Sequence, residues 1–104
     1  MKNFEFKSQI CTTVEQSKRL LELGLKKDTA DMCLEYSAGK YYPKTHRIYG
    51  ILNIPAWSLH RLLMMYGDNY NFFSLENAYG ELIHAIAIDI EKGTFNKDYL
   101  EEKK

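Results

Sequence analysis

The longest amphipathic pattern in the chain covers residues 74–92. At 100° per residue, one stripe of large side chains runs along this segment: Leu75, Tyr79, Leu82, Ile83, Ile86 and Ile90. Ser74 is suited to cap the start of a helix, and Gly93 can adopt the left-handed backbone that ends one. The pattern therefore predicts a helix roughly 28 Å long, at 1.5 Å per residue, on which the other elements pack.

The N-terminal part of the chain predicts a shorter helix. Thr12 and Glu15 have the spacing of a capping box, and Gly24 marks the end of the pattern. The inner face of this helix is formed by Val14, Ser17, Leu20, Leu21 and Leu25. Residues 1–10, where Phe4 and Phe6 alternate with charged side chains, predict a short strand or an ordered arm.

From Met32 the period of the apolar positions changes to two, which is typical of a strand. Ala38-Gly39 can turn this strand back, so that Tyr41 and Tyr42 lie beside Tyr36 and Glu35. Pro43 and Thr45 then interrupt, and residues 48–52 resume an extended apolar run. We expect a two- or three-stranded antiparallel meander.

A further helix follows, either with Pro55 at its first position or with Ser58 as its cap, and Gly67 ends it. Its inner face carries Leu59, Leu62, Leu63 and Tyr66. After the long helix, Phe95, Tyr99 and Leu100 can pack back as a single turn, within a tail over residues 97–104 that we expect to fray. The prediction is a single α+β domain over residues 1–104, with an N-terminal helix, a small antiparallel meander and two helices, the second long and central.

The composition limits the classes of function that we expect for this protein. Fourteen basic and fourteen acidic residues give a net charge of zero, and the basic residues are scattered, so nucleic-acid binding is disfavoured. No apolar run approaches the ~20 residues of a membrane helix. Cys11 and Cys33 lack close pairing, and residues 1–10 lack the pattern of a secretory leader. We expect a cytoplasmic protein with reduced thiols and no membrane partner.

No catalytic motif is assembled in the sequence. His46, His60 and His84 are too far apart for a local metal motif, so no metal or cofactor is predicted. A cysteine paired with a histidine could make a nucleophile, but packing explains the cysteines better. Asp28 with Asp31 could share one face of a turn, as an acid–base or metal pair requires, but a polar turn explains them equally well. A non-enzymatic protein is favoured, and a small enzyme or enzyme inhibitor whose site assembles only in three dimensions is the alternative.

Tyrosines are concentrated in the predicted sheet, at Tyr36, Tyr41, Tyr42 and Tyr49. Exposed aromatic residues on a sheet suit contact with a protein partner, or stacking against single-stranded nucleic acid. Ordinary packing against the helices is the third interpretation. We interpret these residues as a protein-interaction surface, because few basic residues accompany them.

Ile88 is the one large apolar residue on the polar arc of the long helix. Ala78 and Ala85 form a strip of small residues nearby, along which a second helix could approach. The pattern suggests a weak two-fold dimer through this face, with Ile88 at its centre. The alternative is that the meander covers Ile88 within one chain.

Three segments resemble a known group of proteins. They are residues 54–63 (IPAWSLHRLL), the helix beginning at residues 79–83 (YGELI) and residues 93–100 (GTFNKDYL), together with the helix start at residues 11–13. These segments are similar to small proteins encoded in gut Bacteroidetes genomes, some of them in prophage or mobile-element neighbourhoods. The group carries no assigned activity, so the resemblance implies a setting and transfers no catalytic residue.

Overall fold

The computed structural model of the protein describes residues 9–45, 52–67, 70–72 and 75–101. The elements are α1 (Val14–Glu22), β1 (Met32–Ser37), β2 (Lys40–Lys44), β3 (Ile54–Ala56), α2 (Leu59–Tyr66) and α3 (Ala78–Lys92). Single 3-10 turns lie at Lys27–Thr29, Leu75–Asn77 and Lys97–Tyr99. This architecture confirms the α+β prediction. None of the helices in the described ranges combines the length and apolar character needed to cross a lipid bilayer.

The sheet is antiparallel, with β1 between β2 and β3. β1 and β2 form a hairpin whose two turn residues, Ala38 (φ 50°) and Gly39 (φ 83°), both have positive φ. Such a turn matches the twist of the flanking strands. It pairs Tyr36 with Tyr41 and Glu35 with Tyr42, which confirms the predicted hairpin.

The third strand differs from the expected one. β3 pairs with the other side of β1, with Ala56 opposite Met32, while the expected run at residues 48–52 lies outside the described ranges except for Leu52. Pro55 consequently belongs to a strand and does not begin a helix. Pro43 does not interrupt β2 either. Hydrogen-bonded and non-hydrogen-bonded pairs alternate along the hairpin, and Leu34–Pro43 is a non-hydrogen-bonded pair. The backbone nitrogen of Pro43, which has no hydrogen to donate, therefore faces away from β1, and the strand tolerates the proline.

The start of α1 also differs, because the capping box uses Thr13 and Gln16. Thr13 Oγ1 accepts a hydrogen bond from Gln16 N, and Thr13 N donates to Gln16 Oε1, both at 3.1 Å. The prediction of Thr12 and Glu15 was wrong by one residue. Thr12 is instead buried, and its hydroxyl accepts from the backbone N–H of Trp57 at 3.1 Å.

The other helix ends lie close to the predicted positions. Ser58 caps α2 by accepting from Arg61 N, and Gly67 ends that helix in the left-handed conformation. Gly93 ends α3 in the same way, which confirms its predicted role. α3 itself begins at Ala78, after the Leu75–Asn77 turn, while the predicted cap Ser74 lies outside the described residues.

The main core lies between the three helices. α3 buries Ala78, and it also buries Tyr79, Leu82, Ile83 and Ile86, which are four of the six residues of its predicted stripe. These four belong to the main core. They pack in one cluster with Leu20, Leu25, Ala30, Trp57, Leu62, Met65 and Phe95. Trp57 is 0 % exposed, and its Nε1–H donates to Thr29 Oγ1 at 3.0 Å. Among the described residues, no buried side-chain nitrogen or oxygen lacks a hydrogen-bond partner.

The chain after α3 returns to the end of α1. Leu100 forms a β-bridge with Leu25, and Glu101 N donates to Gly24 O at 2.7 Å. Phe95 is buried, as predicted. The expected fraying of residues 97–104 is therefore wrong for residues 97–101, because backbone hydrogen bonds to the end of α1 hold this segment.

Candidate functional site

The two faces of the β1–β2 hairpin differ in chemistry. Paired residues share a face and successive residues alternate, so Tyr36 and Tyr41 point to one side. This side also carries Leu34 and Pro43. The opposite side carries Glu35, Ser37, Lys40, Tyr42 and Lys44. The hairpin is therefore aromatic and uncharged on one face and charged on the other.

The start of α1 covers only part of the uncharged face. Met32 and Leu34 are buried beneath Cys11 and Val14 in a small second core. Farther along β1, Tyr36 is 39 % exposed, and its ring contacts that of Tyr41 edge to face at a centroid distance of 5.1 Å. An aromatic pair of this geometry adds about 0.5–1.5 kcal/mol beyond its buried area. The tyrosine pair thus forms a partly exposed aromatic surface.

An exposed leucine borders this pair. Asn53 Oδ1 accepts a hydrogen bond from Tyr36 N at 3.1 Å, and the preceding residue, Leu52, is 57 % exposed. We call Tyr36, Tyr41 and Leu52 the tyrosine face. Sequence reasoning missed Leu52, since its position follows only from the pairing of β3 with β1. An alternation of apolar residues from Leu52 to Ile54 was the available signal.

The predicted tyrosine cluster is divided by the sheet. Tyr42 is 45 % exposed but lies on the charged face, near the ion pair between Lys44 Nζ and Glu35 Oε1 at 3.9 Å. Tyr49 lies outside the described residues. The prediction of one shared surface was wrong for Tyr42, because an odd spacing along β2 from Tyr41 reverses the side-chain direction.

Ile88 is half-buried within the single chain, between the exposed position that a dimer contact favours and full cover within one chain. Its neighbours His84 and Glu91 are exposed, and Ala85 is half-buried. The apolar area that Ile88 can offer to a second chain is correspondingly smaller. Dimerisation through this face stays a prediction.

The cysteines are positioned for packing. Neither cysteine forms a disulfide and both are buried, and Cys11 lies with Met32, Leu34 and Ala56. Burial, followed by the negative charge of Asp31 and the nearby Cys33, raises the pKa of the Cys11 thiol from 9.0 to about 11. This thiol is protonated at neutral pH and is a poor nucleophile.

Asp31 has a structural use. Its carboxylate accepts from Ser58 N at 2.8 Å and from Ser58 Oγ at 2.5 Å, so it orders the residue that caps α2. The described chain also contains no group of three or more histidine, cysteine or acidic residues that could hold a metal ion. Among the residues considered for chemistry, Cys11 and Cys33 are thus buried and Asp31 supports a helix cap, while His46 lies outside the described residues.

Comparison with known proteins adds no relative. No protein-family model, no curated protein and no solved structure matches the chain.

Proposed function

We propose that this protein is a small non-enzymatic module that binds a protein partner through the tyrosine face, in the cytoplasm of its host. One observation carries the proposal: the uncharged face of the sheet extends past α1, which leaves Tyr36 39 % exposed beside Leu52. The resemblance of residues 54–63 supports a phage or mobile-element setting for the same module.

The chemistry of the face fits a protein contact. Tyrosine offers a large apolar ring and a polar hydroxyl, and it loses little conformational entropy when it binds because it has only two side-chain torsions. Tyr36 and Tyr41 are further restrained by the hairpin and by each other. A surface that is rigid before binding needs less ordering when the partner arrives.

Two alternatives have less support. The protonated, buried Cys11 and the capping role of Asp31 weaken the case for a small enzyme, whereas an enzyme inhibitor would act through the same tyrosine face. Binding of single-stranded nucleic acid is weakened because Lys40 and Lys44 lie on the other side of the hairpin from Tyr36. A labelled oligothymidine at low salt should therefore show no binding.

Site-specific photocrosslinking tests the proposal. A benzophenone amino acid is placed at Tyr36, and in a matched control at Met64, which is 54 % exposed on α2. In host cells, we expect a discrete crosslinked protein from position 36 and none from position 64. Purified partner should then bind the wild type and lose affinity for Tyr41→Ser. The same crosslinks from both positions, or none from position 36, would contradict the assignment.

A further inference from the structure

A groove lies on the opposite part of the fold, away from the sheet. It runs between the last turn of α1, the second half of α3 and residues 97–101, and its volume is about 920 Å³. Its floor is mainly apolar and is formed by Leu23, Gly24, Ala87, Ile90 and Leu100. This is a second concave surface that shares no residue with the tyrosine face.

Backbone hydrogen bonds hold residues 100–101 against the end of α1 at the floor of the groove. Gly24 has a φ of 104°, which turns the chain out of α1, and its carbonyl accepts from Glu101 N at 2.7 Å. The Leu25–Leu100 bridge continues this contact. Ala87 lines the groove with only a methyl group, so none of the described side chains on this part of α3 fills the space between the two helices. The groove is therefore built by the fold before any ligand arrives.

The rim is charged and slightly acidic. Its ionisable residues are Arg19, Glu22, Glu91, Lys97 and Glu101. Three carboxylates against two cations leave a formal charge of −1, and none of the five forms an ion pair within 4.0 Å in the described chain. α1 ends at Glu22 and α3 at Lys92, so the negative ends of two helix dipoles also lie near the groove.

We propose that this groove binds an amphipathic helix of a protein partner, with apolar residues on one side and lysine or arginine beside them. A gap between two helices with an apolar floor suits a third helix, whose apolar residues lie three and four apart. The acidic rim and the helix ends favour cationic flanks and disfavour acidic ones. This goes beyond the proposed function, because it assigns a second binding site with its own ligand chemistry.

Two model peptides test the ligand class. Both are fluorescent 14-residue helices with leucines at helical spacing, one with lysine and one with glutamate at all other positions. Measured by anisotropy, the lysine peptide should bind at least tenfold more tightly than the glutamate peptide, and its affinity should fall as salt increases. Amide NMR shifts should map to α1, α3 and residues 97–101.

Variants of the groove test the site. Ala87→Phe places a ring in the floor and should weaken binding of the lysine peptide at least tenfold. The pair Glu22→Lys with Glu91→Lys should weaken it about tenfold, since each exposed ion pair contributes at most about fivefold. Glu15→Lys, an exposed change on α1 away from the groove, is the charge control and should change affinity less than twofold.

Several results would overturn the proposal. They are equal binding of both peptides, unchanged binding by the Glu22→Lys and Glu91→Lys pair, or shifts that map to Tyr36 and Tyr41. The charge pair keeps the test decisive if Ala87→Phe fails to fold. If an apolar dye displaces the peptides and the lysine and glutamate peptides bind equally well, the groove is a site for small apolar molecules and the helix proposal is rejected.

Discussion

Trp57 and Tyr36 are both aromatic residues at the sheet, yet their surroundings are opposite. Trp57 follows β3, is 0 % exposed, and donates through its ring N–H to Thr29 and through its backbone N–H to Thr12. Tyr36 ends the inner face of β1, is 39 % exposed, and rests on a second tyrosine. The first is surrounded by helices and the second lies beyond them.

The difference shows how far the helices cover the sheet. The start of α1 lies over Met32 and Leu34 but does not reach Tyr36, two residues farther along β1. Aromatic side chains are therefore part of the core at one end of the sheet and partly exposed at the other. Five changes, ordered from the largest expected effect on stability to the smallest, test this division.

Replacing Trp57 should have the largest effect. Trp57→Ala removes the largest fully buried side chain, and we expect a loss of about 3–5 kcal/mol in the free energy of unfolding, measured by urea denaturation. Trp57→Phe is the control, since it keeps a ring and loses the bond to Thr29 Oγ1, so its effect should be smaller. Equal losses from both would mean that the hydrogen bond, and not packing, dominates.

Thr12→Val should come next. The change leaves the buried N–H of Trp57 without the acceptor Oγ1, which corresponds to about 1–3 kcal/mol. Thr13→Ala removes the cap of α1 and should cost about 1 kcal/mol. If Thr13→Ala is clearly the more damaging of the two, the tertiary role of Thr12 has been overestimated.

Cys11 should make stability fall at alkaline pH. Its pKa is raised to about 11 in the folded chain, so the folded state holds the proton more tightly than the unfolded state, whose thiol has the ordinary value of 9.0. Its contribution is fully present below pH 9 and is lost as the pH rises through 11. Urea denaturation at several pH values should show a steeper decline between pH 9 and 11 for the wild type than for Cys11→Ala. Parallel curves would contradict the shift.

Ile88→Glu tests a residue that belongs neither to the main core nor to the tyrosine face. Because Ile88 is half-buried, we expect a loss of about 1 kcal/mol in a single chain, roughly half of a full burial. If the predicted dimer forms, sedimentation should show that the variant is a folded monomer at concentrations where the wild type associates. A loss well above about 1 kcal/mol, measured where the wild type is already monomeric, would assign Ile88 to the core.

Tyr36→Ser should have the smallest effect on stability. Tyr36 is already 39 % exposed and the edge-to-face pair is modest, so we expect a loss of at most about 1 kcal/mol, measured by thermal unfolding. The same change should abolish crosslinking of the partner from position 41. Lys40→Ala, on the charged side of the hairpin, is the control and should affect neither property. A large loss of stability from Tyr36→Ser would place this residue in the core.

The sequence alone determined the local elements. Apolar spacing defined α3 and the inner face of α2, and residues with special backbone preferences marked the ends of elements at Ser58, Gly67 and Gly93. The Ala38-Gly39 turn fixed the hairpin, and with it the Tyr36–Tyr41 pair. Each of these features depends on interactions within a few residues, which the order of side chains specifies directly.

Only the tertiary structure decided the rest. Thr12 and Thr13 suit a cap equally well, and a hydrogen bond to Trp57, 45 residues away, assigned Thr12 to the core. β3 has only three residues, too few to show a period, and it exists through its pairing with β1. The alternation along β1 and β2 divides the tyrosines between two faces, but which face the helices cover, and where that cover stops, depends on how α1 packs against β3. Contacts between distant residues set that arrangement, and so they set which aromatic residues stay exposed.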